Sequence, residues 1–212
     1  MKTGFKAKRI VTTALLGVVM ALGADGVGAA AQAATDTIVT NSANTEAATL
    51  KLTQKWDKVF LQSDKVQHRK VTFHNRYGIT LAADLYEPKN VTGKLAAIAV
   101  SGPFGAVKEQ SSGLYAQAMA ERGYLTIAFD PSFTGESGGA PRDVASPEIN
   151  TEDFSAAVDF LSTQDNVDPN RIGIIGICGW GGMALNTAAM DTRVKATVTS
   201  TMTHHMMNMA GS

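Results

Sequence analysis

The sequence predicts an α/β fold: a mostly parallel sheet with helices on both faces, entered through an antiparallel hairpin. Three observations point there. Short, nearly continuous apolar runs recur at residues 95–100, 124–129, 171–177 and 194–200, as expected of strands buried on both faces. Segments of helical period separate these runs. Ahead of them, residues 79–86 alternate Leu81, Ala83 and Leu85 with Thr80, Ala82 and Asp84, the period of a strand with two unlike faces.

Residues 1–33 read as a secretory signal peptide. Lys2, Lys6, Lys8 and Arg9 form a basic start, residues 10–22 are apolar, and Ala31-Gln32-Ala33 offers an Ala-x-Ala cleavage site. The apolar core is shorter than the roughly 20 residues of a spanning helix. The mature protein is therefore expected in the periplasm or outside the cell, without stable membrane insertion. The whole chain balances 19 basic against 19 acidic residues, and cleavage would leave a net charge of −3. No basic stripe is present, which argues against a nucleic-acid partner. One cysteine cannot form an intramolecular disulfide, so Cys178 is either a buried hydrophobe or a reactive thiol.

Residues 34–50, rich in Thr, Asn, Ala and Ser, read as a flexible leader. From 50 to 66 a short helix is expected, anchored by Trp56, Val59 and Phe60. Residues 71–74 and 79–86 then pair across a turn at 75–78, and Pro88 ends the second arm. A strand at 95–100 runs into a turn at 101–105. Leu114, Ala118 and Met119 mark a helix that ends near Gly123. The strand at 124–129 is stopped by Asp130-Pro131, and a long Pro- and Gly-containing loop follows to residue 150. Thr151 and Asp153 are candidate caps for a helix carrying Phe154, Ala157, Val158 and Leu161 at helical spacing. Asp168-Pro169-Asn170 turns the chain into the strand at 171–177. A helix through Ala188 and a β-branched strand at 194–200 complete the pattern.

The chemistry concentrates at Gly173-Ile174-Ile175-Gly176-Ile177-Cys178-Gly179-Trp180-Gly181-Gly182. A strand, a glycine-rich turn holding the sole cysteine, and a helix in immediate succession form the layout of a nucleophile elbow. A thiolate is a strong nucleophile, and a helix N-terminus directly after it favours negative charge. Trp180 departs from the pattern, which usually has glycine two residues after the nucleophile. Its side chain must either displace the turn or wall the pocket. A nucleotide-binding reading fares worse, because no P-loop is present and the glycines lie late in the chain.

Four further segments carry a resemblance: Asn75-Arg76-Tyr77-Gly78-Ile79 with Ala83-Asp84-Leu85-Tyr86; Gly102-Pro103-Phe104-Gly105-Ala106; Asp130-Pro131-Ser132-Phe133-Thr134-Gly135; and Val167-Asp168-Pro169-Asn170-Arg171-Ile172-Gly173. In this order they resemble bacterial α/β-hydrolases of the dienelactone-hydrolase-like and Xaa-Pro-peptidase-like branches. The resemblance implies a partial α/β-hydrolase domain over residues 51–212. It implies Cys178 as nucleophile, with the backbone N–H groups of Gly179 and Phe104 as oxyanion donors, since Pro103 has none. It also implies hydrolysis of ester, lactone or peptide-type bonds in a small-molecule or peptide substrate. No cofactor is expected, and no metal, because the histidines and the cysteine do not cluster as ligands.

In that family an acid and then a histidine follow the nucleophile along the chain, and 34 residues follow Cys178 here. His204 and His205 stand in the wrong slot for the base. His68 and His74 are expected at the surface. Asp130 and Glu136 are expected either to line the pocket or to form turns. A C-terminally truncated fold is therefore expected. The alternative function is an inactive remnant, or a module that dimerises through its exposed sheet edge.

Overall fold

A computed structural model of the chain describes residue 50 and residues 52–202. The expected signal peptide (1–33), nearly all of the expected leader (34–50) and the His204-His205 tail lie outside the described residues. Six strands, β1 (Val66–His74), β2 (Thr80–Pro88), β3 (Leu95–Ser101), β4 (Leu125–Phe129), β5 (Val167–Ile177) and β6 (Val194–Ser200), form one sheet. Between them run three helices, α1 (Ser111–Ala120), α2 (Pro147–Ser162) and α3 (Trp180–Met190).

The order across the sheet is β1-β2-β4-β3-β5-β6. β1 pairs antiparallel with β2, and β2 with β4, while β4, β3, β5 and β6 run parallel. The chain leaves β3 for β4 on one side and returns to place β5 on the other. Strand order thus reverses at β3, and the C-terminal ends of β3 and β5 flank the crevice where open α/β sheets place their sites.

Each face of the sheet carries its own core. Leu81, Leu85, Ile127, Phe129 and Ile174 pack with Phe154, Leu161, Trp180 and Met183 of α2 and α3. Tyr86, Ile98, Val100, Ile175 and Ile177 pack with Ala116 and Ala120 of α1. The expected two faces of β2 are present: Leu81, Ala83 and Leu85 enter the first core, whereas Asp84, fully buried, joins a network of charges.

Four expectations change. Asp168-Pro169-Asn170 does not form the expected turn: these residues belong to β5, which begins at Val167. Residues 52–63 form no helix. Their polar atoms are satisfied as an extended strap: Gln54 exchanges hydrogen bonds with the backbone of Lys70 on β1, and Gln117 does so with Leu61 and Ser63. Trp56 and Phe60 still anchor against the core, but Val59 is 76% exposed. On α1 the expected period is present in another phase. Ser112, Gly113, Ala116, Gln117 and Ala120 face inward, and Leu114 is 48% exposed. Small residues win because the helix lies close to the sheet: a Cβ on Gly113 would sit 2.3 Å from the Lys108 carbonyl oxygen and 3.0 Å from the Tyr86 hydroxyl. Finally, α2 begins a turn earlier than expected. Its cap is Ser146, which accepts from the Ile149 N–H, with Pro147 at the first helical position.

The strap is held by ions. Lys58 pairs with Asp84 at 3.0 Å, Lys70 with Asp57 and Glu136 at 2.8 Å each, and Lys108 with Asp130 at 2.9 Å and Glu136 at 2.6 Å. Burial disfavours charge on Asp57, but its bonds to Lys58 and Lys70 outweigh this and hold its carboxyl down to about 2. Because the folded value lies below the unfolded one, the unfolded chain takes up this proton first. The stabilisation is therefore complete above the ordinary carboxylate range and is lost as pH falls toward 2. The Asp57 side chain is 32% exposed, so solvent screening reduces the effect to about 1 kcal/mol. Urea unfolding at pH 5 and pH 2.5 should show this loss in the wild type and not in Asp57→Asn, and equal slopes in both would contradict it.

Candidate active site

Cys178 sits between the last residue of β5 and the start of α3, half-buried. Its φ is +58°, a left-handed conformation that costs a side-chain-bearing residue about 1–2 kcal/mol. Neighbouring contacts hold it there. The Cys178 N–H donates to the Ser200 carbonyl at the end of β6 at 2.8 Å, and its own carbonyl accepts from the Gly181 N–H at 3.0 Å. The strand and helix meet so closely at this turn that no Cβ fits at Gly176: it would lie 2.3 Å from the Trp180 carbonyl oxygen. A Cβ on Gly102, after β3, would lie 2.3 Å from the Ile177 carbonyl oxygen. The loop after β3 therefore lies directly against the elbow.

Gly179 caps the N-terminus of α3 and is buried, and Phe104 stands on the loop after β3. Among the described residues neither backbone N–H has a hydrogen-bond partner. Of the two roles expected for it, Trp180 has that of a pocket wall. It is 3% exposed, packs on Phe154 with ring centroids 6.5 Å apart, and meets Phe104 at 5.5 Å. Phe104 and Trp180 both line a cavity of about 480 Å³, together with Val107, Pro131, Arg142 and Val144. Arg142 fastens the far wall, donating to the carbonyl oxygens of Gly135 at 2.6 Å and of Ser137.

Of the two places expected for Asp130 and Glu136, the structure has the turn and not the pocket wall. Asp130 is a turn former: it accepts from the N–H groups of Lys108 at 2.7 Å and Glu136 at 2.9 Å. Together with Glu136 it neutralises Lys108, whose side chain is fully buried. Burial opposes charge on Lys108, and the carboxylates around it outweigh this and raise its pKa. His68 is not at the surface. Its side chain is 4% exposed and its Nε2 lies 2.8 Å from Asp84, between the rings of Trp56 and Tyr86. The partner carboxylate on β2 and the covering strap account for this burial. His74 is exposed, as expected. Among the described residues no histidine is hydrogen-bonded to Cys178, and no group of three or more His, Cys, Asp or Glu could hold a metal ion.

Sequence reasoning missed a second polar cluster behind the site. Asp153, expected as a cap, is fully buried. It accepts from Asn75 at 2.9 Å, the Ser132 N–H and hydroxyl at 2.8 Å each, and Asn150 at 3.0 Å. It joins the hairpin turn, the loop after β4 and α2. Burial pushes its carboxyl up, against those hydrogen bonds. The available signal was Asn75 before Gly78, whose Oδ1 accepts from the N–H groups of Tyr77 and Ile79, as an Asx turn does.

Comparison with known proteins agrees with this fold. Residues 77–211 match the model of the X-Pro dipeptidyl-peptidase (S15) family. The chain belongs to the S15 family. It is 70% identical over 171 residues to the uncharacterized protein PA2218 of Pseudomonas aeruginosa, covering 79% of this chain and 46% of that one. The crystal structure of that protein superposes with a TM-score of 0.71 at 74% identity, over 73% of this chain and 48% of the other. A thiohydrolase of Aspergillus aculeatus is 37% identical over 99 residues, 47% of this chain and 31% of its own. The α/β hydrolase GrgF of Penicillium superposes with a TM-score of 0.59 at 26% identity, over 63% and 45% of the two chains. The S15 chain described here spans about half the length of the curated relatives it matches. Its fold is that of the α/β-hydrolases, and its relatives include hydrolases. Among the described residues no helix is long and apolar enough to cross a membrane.

Proposed function

We propose that Cys178 is the nucleophile of a hydrolase acting on ester, thioester, lactone or peptide-type acyl bonds. The observation that carries this reading is the left-handed backbone at Cys178, φ +58°, gripped by glycine-to-backbone contacts at Gly176 and Gly102. Strain of this kind persists where surrounding structure over-determines it, and it clusters at reactive residues. In the proposed reaction Cys178 Sγ bonds to the acyl carbon. The carbonyl oxygen takes up negative charge and accepts hydrogen bonds from the N–H groups of Gly179 and Phe104. Collapse expels the alcohol, thiol or amine with a proton, leaving an acyl-thioester. Water then attacks it, releases the acid and restores the thiol.

The test is p-nitrophenyl acetate turnover by the whole chain and by Cys178→Ala. The variant should lose at least about 100-fold in rate, since removing a nucleophile costs this much or more. Equal rates, or an acetyl group found elsewhere than on Cys178, would sink the reading.

A second reading follows from the histidines. His68 is tied to Asp84 and His74 is exposed on the hairpin, so the described residues supply no base beside the elbow. On that reading the chain acylates once and stops. One equivalent of p-nitrophenol, with a stable acetyl-Cys178 seen by mass spectrometry, would select it over sustained turnover.

A further inference from the structure

We propose that the cavity beside the elbow selects a neutral, planar, aryl-bearing acyl group through an aromatic wall made by Phe104 and Trp180. The inference deepens the hydrolase reading of this site and rests on it. It starts from a departure in the sequence: an indole stands two residues after Cys178, where an elbow usually has glycine. That indole lines the cavity. It is 3% exposed and braced by Phe154, so its position is fixed before any ligand arrives.

Phe104 lies tilted against it at 5.5 Å and 37°, and is itself 37% exposed. An aromatic side chain this exposed on a turn has few intramolecular contacts to explain it, and it lines the same cavity as Trp180. The cavity, about 480 Å³, falls within the range of small-molecule sites. Its remaining wall includes Val107, Pro131 and Val144, and its charged lining is one residue of each sign, Arg142 and Asp143. No net charge therefore biases the cavity toward an ion. An aryl ring laid on the wall gains offset or edge contacts that a saturated ring of the same size does not.

Position relative to the chemistry decides which part of a substrate meets this wall. Phe104 carries the proposed oxyanion N–H, and Trp180 follows the other proposed donor directly in the chain. On this adjacency, the group attached to the carbonyl carbon is the part of the substrate that the two rings are proposed to receive.

The experiment measures dissociation constants of benzamide and cyclohexanecarboxamide, matched in size and neutral, by ligand-observed NMR on the whole chain. Benzamide should bind about 3- to 10-fold more tightly, the range of an aromatic pair beyond its buried area. In Phe104→Leu, which keeps the backbone N–H and apolar bulk, the ratio should fall toward one. A wild-type ratio of one, or a ratio unchanged in a folded Phe104→Leu, overturns the proposal. The wild-type ratio decides even if the variant does not fold. The same ratio in Cys178→Ala, with no turnover in the wild type, would uphold the aromatic wall and overturn the hydrolase reading alone.

Discussion

Replacing Lys108 by methionine is expected to destabilise the fold by about 3–5 kcal/mol, the cost of stripping one partner from a buried ion pair. Lys108 is fully buried and touches Asp130, Glu109 and Glu136 at 2.9, 2.7 and 2.6 Å. The three carboxylates would not suffer equally. Glu109 and Glu136 would keep Lys70, at 3.2 and 2.8 Å. Asp130, fully buried, would keep only the two backbone N–H groups of Lys108 and Glu136. The penalty therefore belongs mainly to Asp130. Urea unfolding of Lys108→Met gives its size, and Lys108→Met with Asp130→Asn, which removes the buried charge and keeps an oxygen to accept from the Lys108 N–H, should recover part of the loss. A loss under about 1 kcal/mol in the single variant would mean that water reaches the network. Natural domains hold only about 5–15 kcal/mol in total, so the single variant approaches the limit of folding at 37 °C.

Gly176→Ala carries the second large effect, about 3 kcal/mol, at the upper end for overpacking. The added methyl would sit 2.3 Å from the Trp180 carbonyl oxygen, 2.7 Å from its carbonyl carbon and 2.8 Å from the Ala184 Cβ. Two of these three atoms are backbone, so no rotamer change relieves the clash. The strand and helix would have to separate at the elbow itself. Gly182→Ala, one turn further on, is the control. Nothing lies within 4 Å of its added methyl, and the gain in helix propensity should stabilise α3 by up to about 1 kcal/mol. Thermal unfolding of both variants should move in opposite directions, and a Gly176→Ala protein as stable as the wild type would refute the packing argument.

Much of this fold was legible because strand and helix periods are strong signals. β6 falls at both ends where the sequence predicts it, Val194–Ser200. The inward set Phe154, Ala157, Val158 and Leu161 on α2 is fully buried. The strand–turn–helix layout around Cys178 was legible for a different reason: glycines at 176, 179, 181 and 182 crowd one short junction between an apolar strand and a helix.

What stayed hidden depends on contacts between distant segments. The phase of α1 follows from Gly113 closing on Tyr86, a contact that hydrophobicity does not report, because it ranks Leu114 above Ser112. The strap at 52–63 shows a helical spacing of apolar residues, yet its backbone at Leu61 and Ser63 is claimed by Gln117, and its Gln54 side chain bonds the backbone of Lys70. Burial of His68 and Lys70 needed the β1–β2 register, which sets Lys70 opposite Asp84 and His68 opposite Tyr86. At the site, the elbow could be read from sequence, but the cavity wall could not. That wall joins Phe104 and Trp180, 76 residues apart in the chain.

The elbow also separates what can vary from what cannot. At Gly102 and Gly176 the nearest obstacle to any side chain is a main-chain oxygen at 2.3 Å, with the Trp180 side chain also within 3 Å of Gly102, and main-chain atoms are the same whatever residue supplies them. No compensating substitution elsewhere can make room, so these positions are closed to evolutionary drift while the sheet keeps its spacing. The ring of Phe104 has no such constraint. It is one-third exposed and contributes its side chain to the cavity while its backbone remains where it is. A lineage, or a designer, can exchange that ring for another shape and change what the cavity admits, without altering the geometry that holds the thiol.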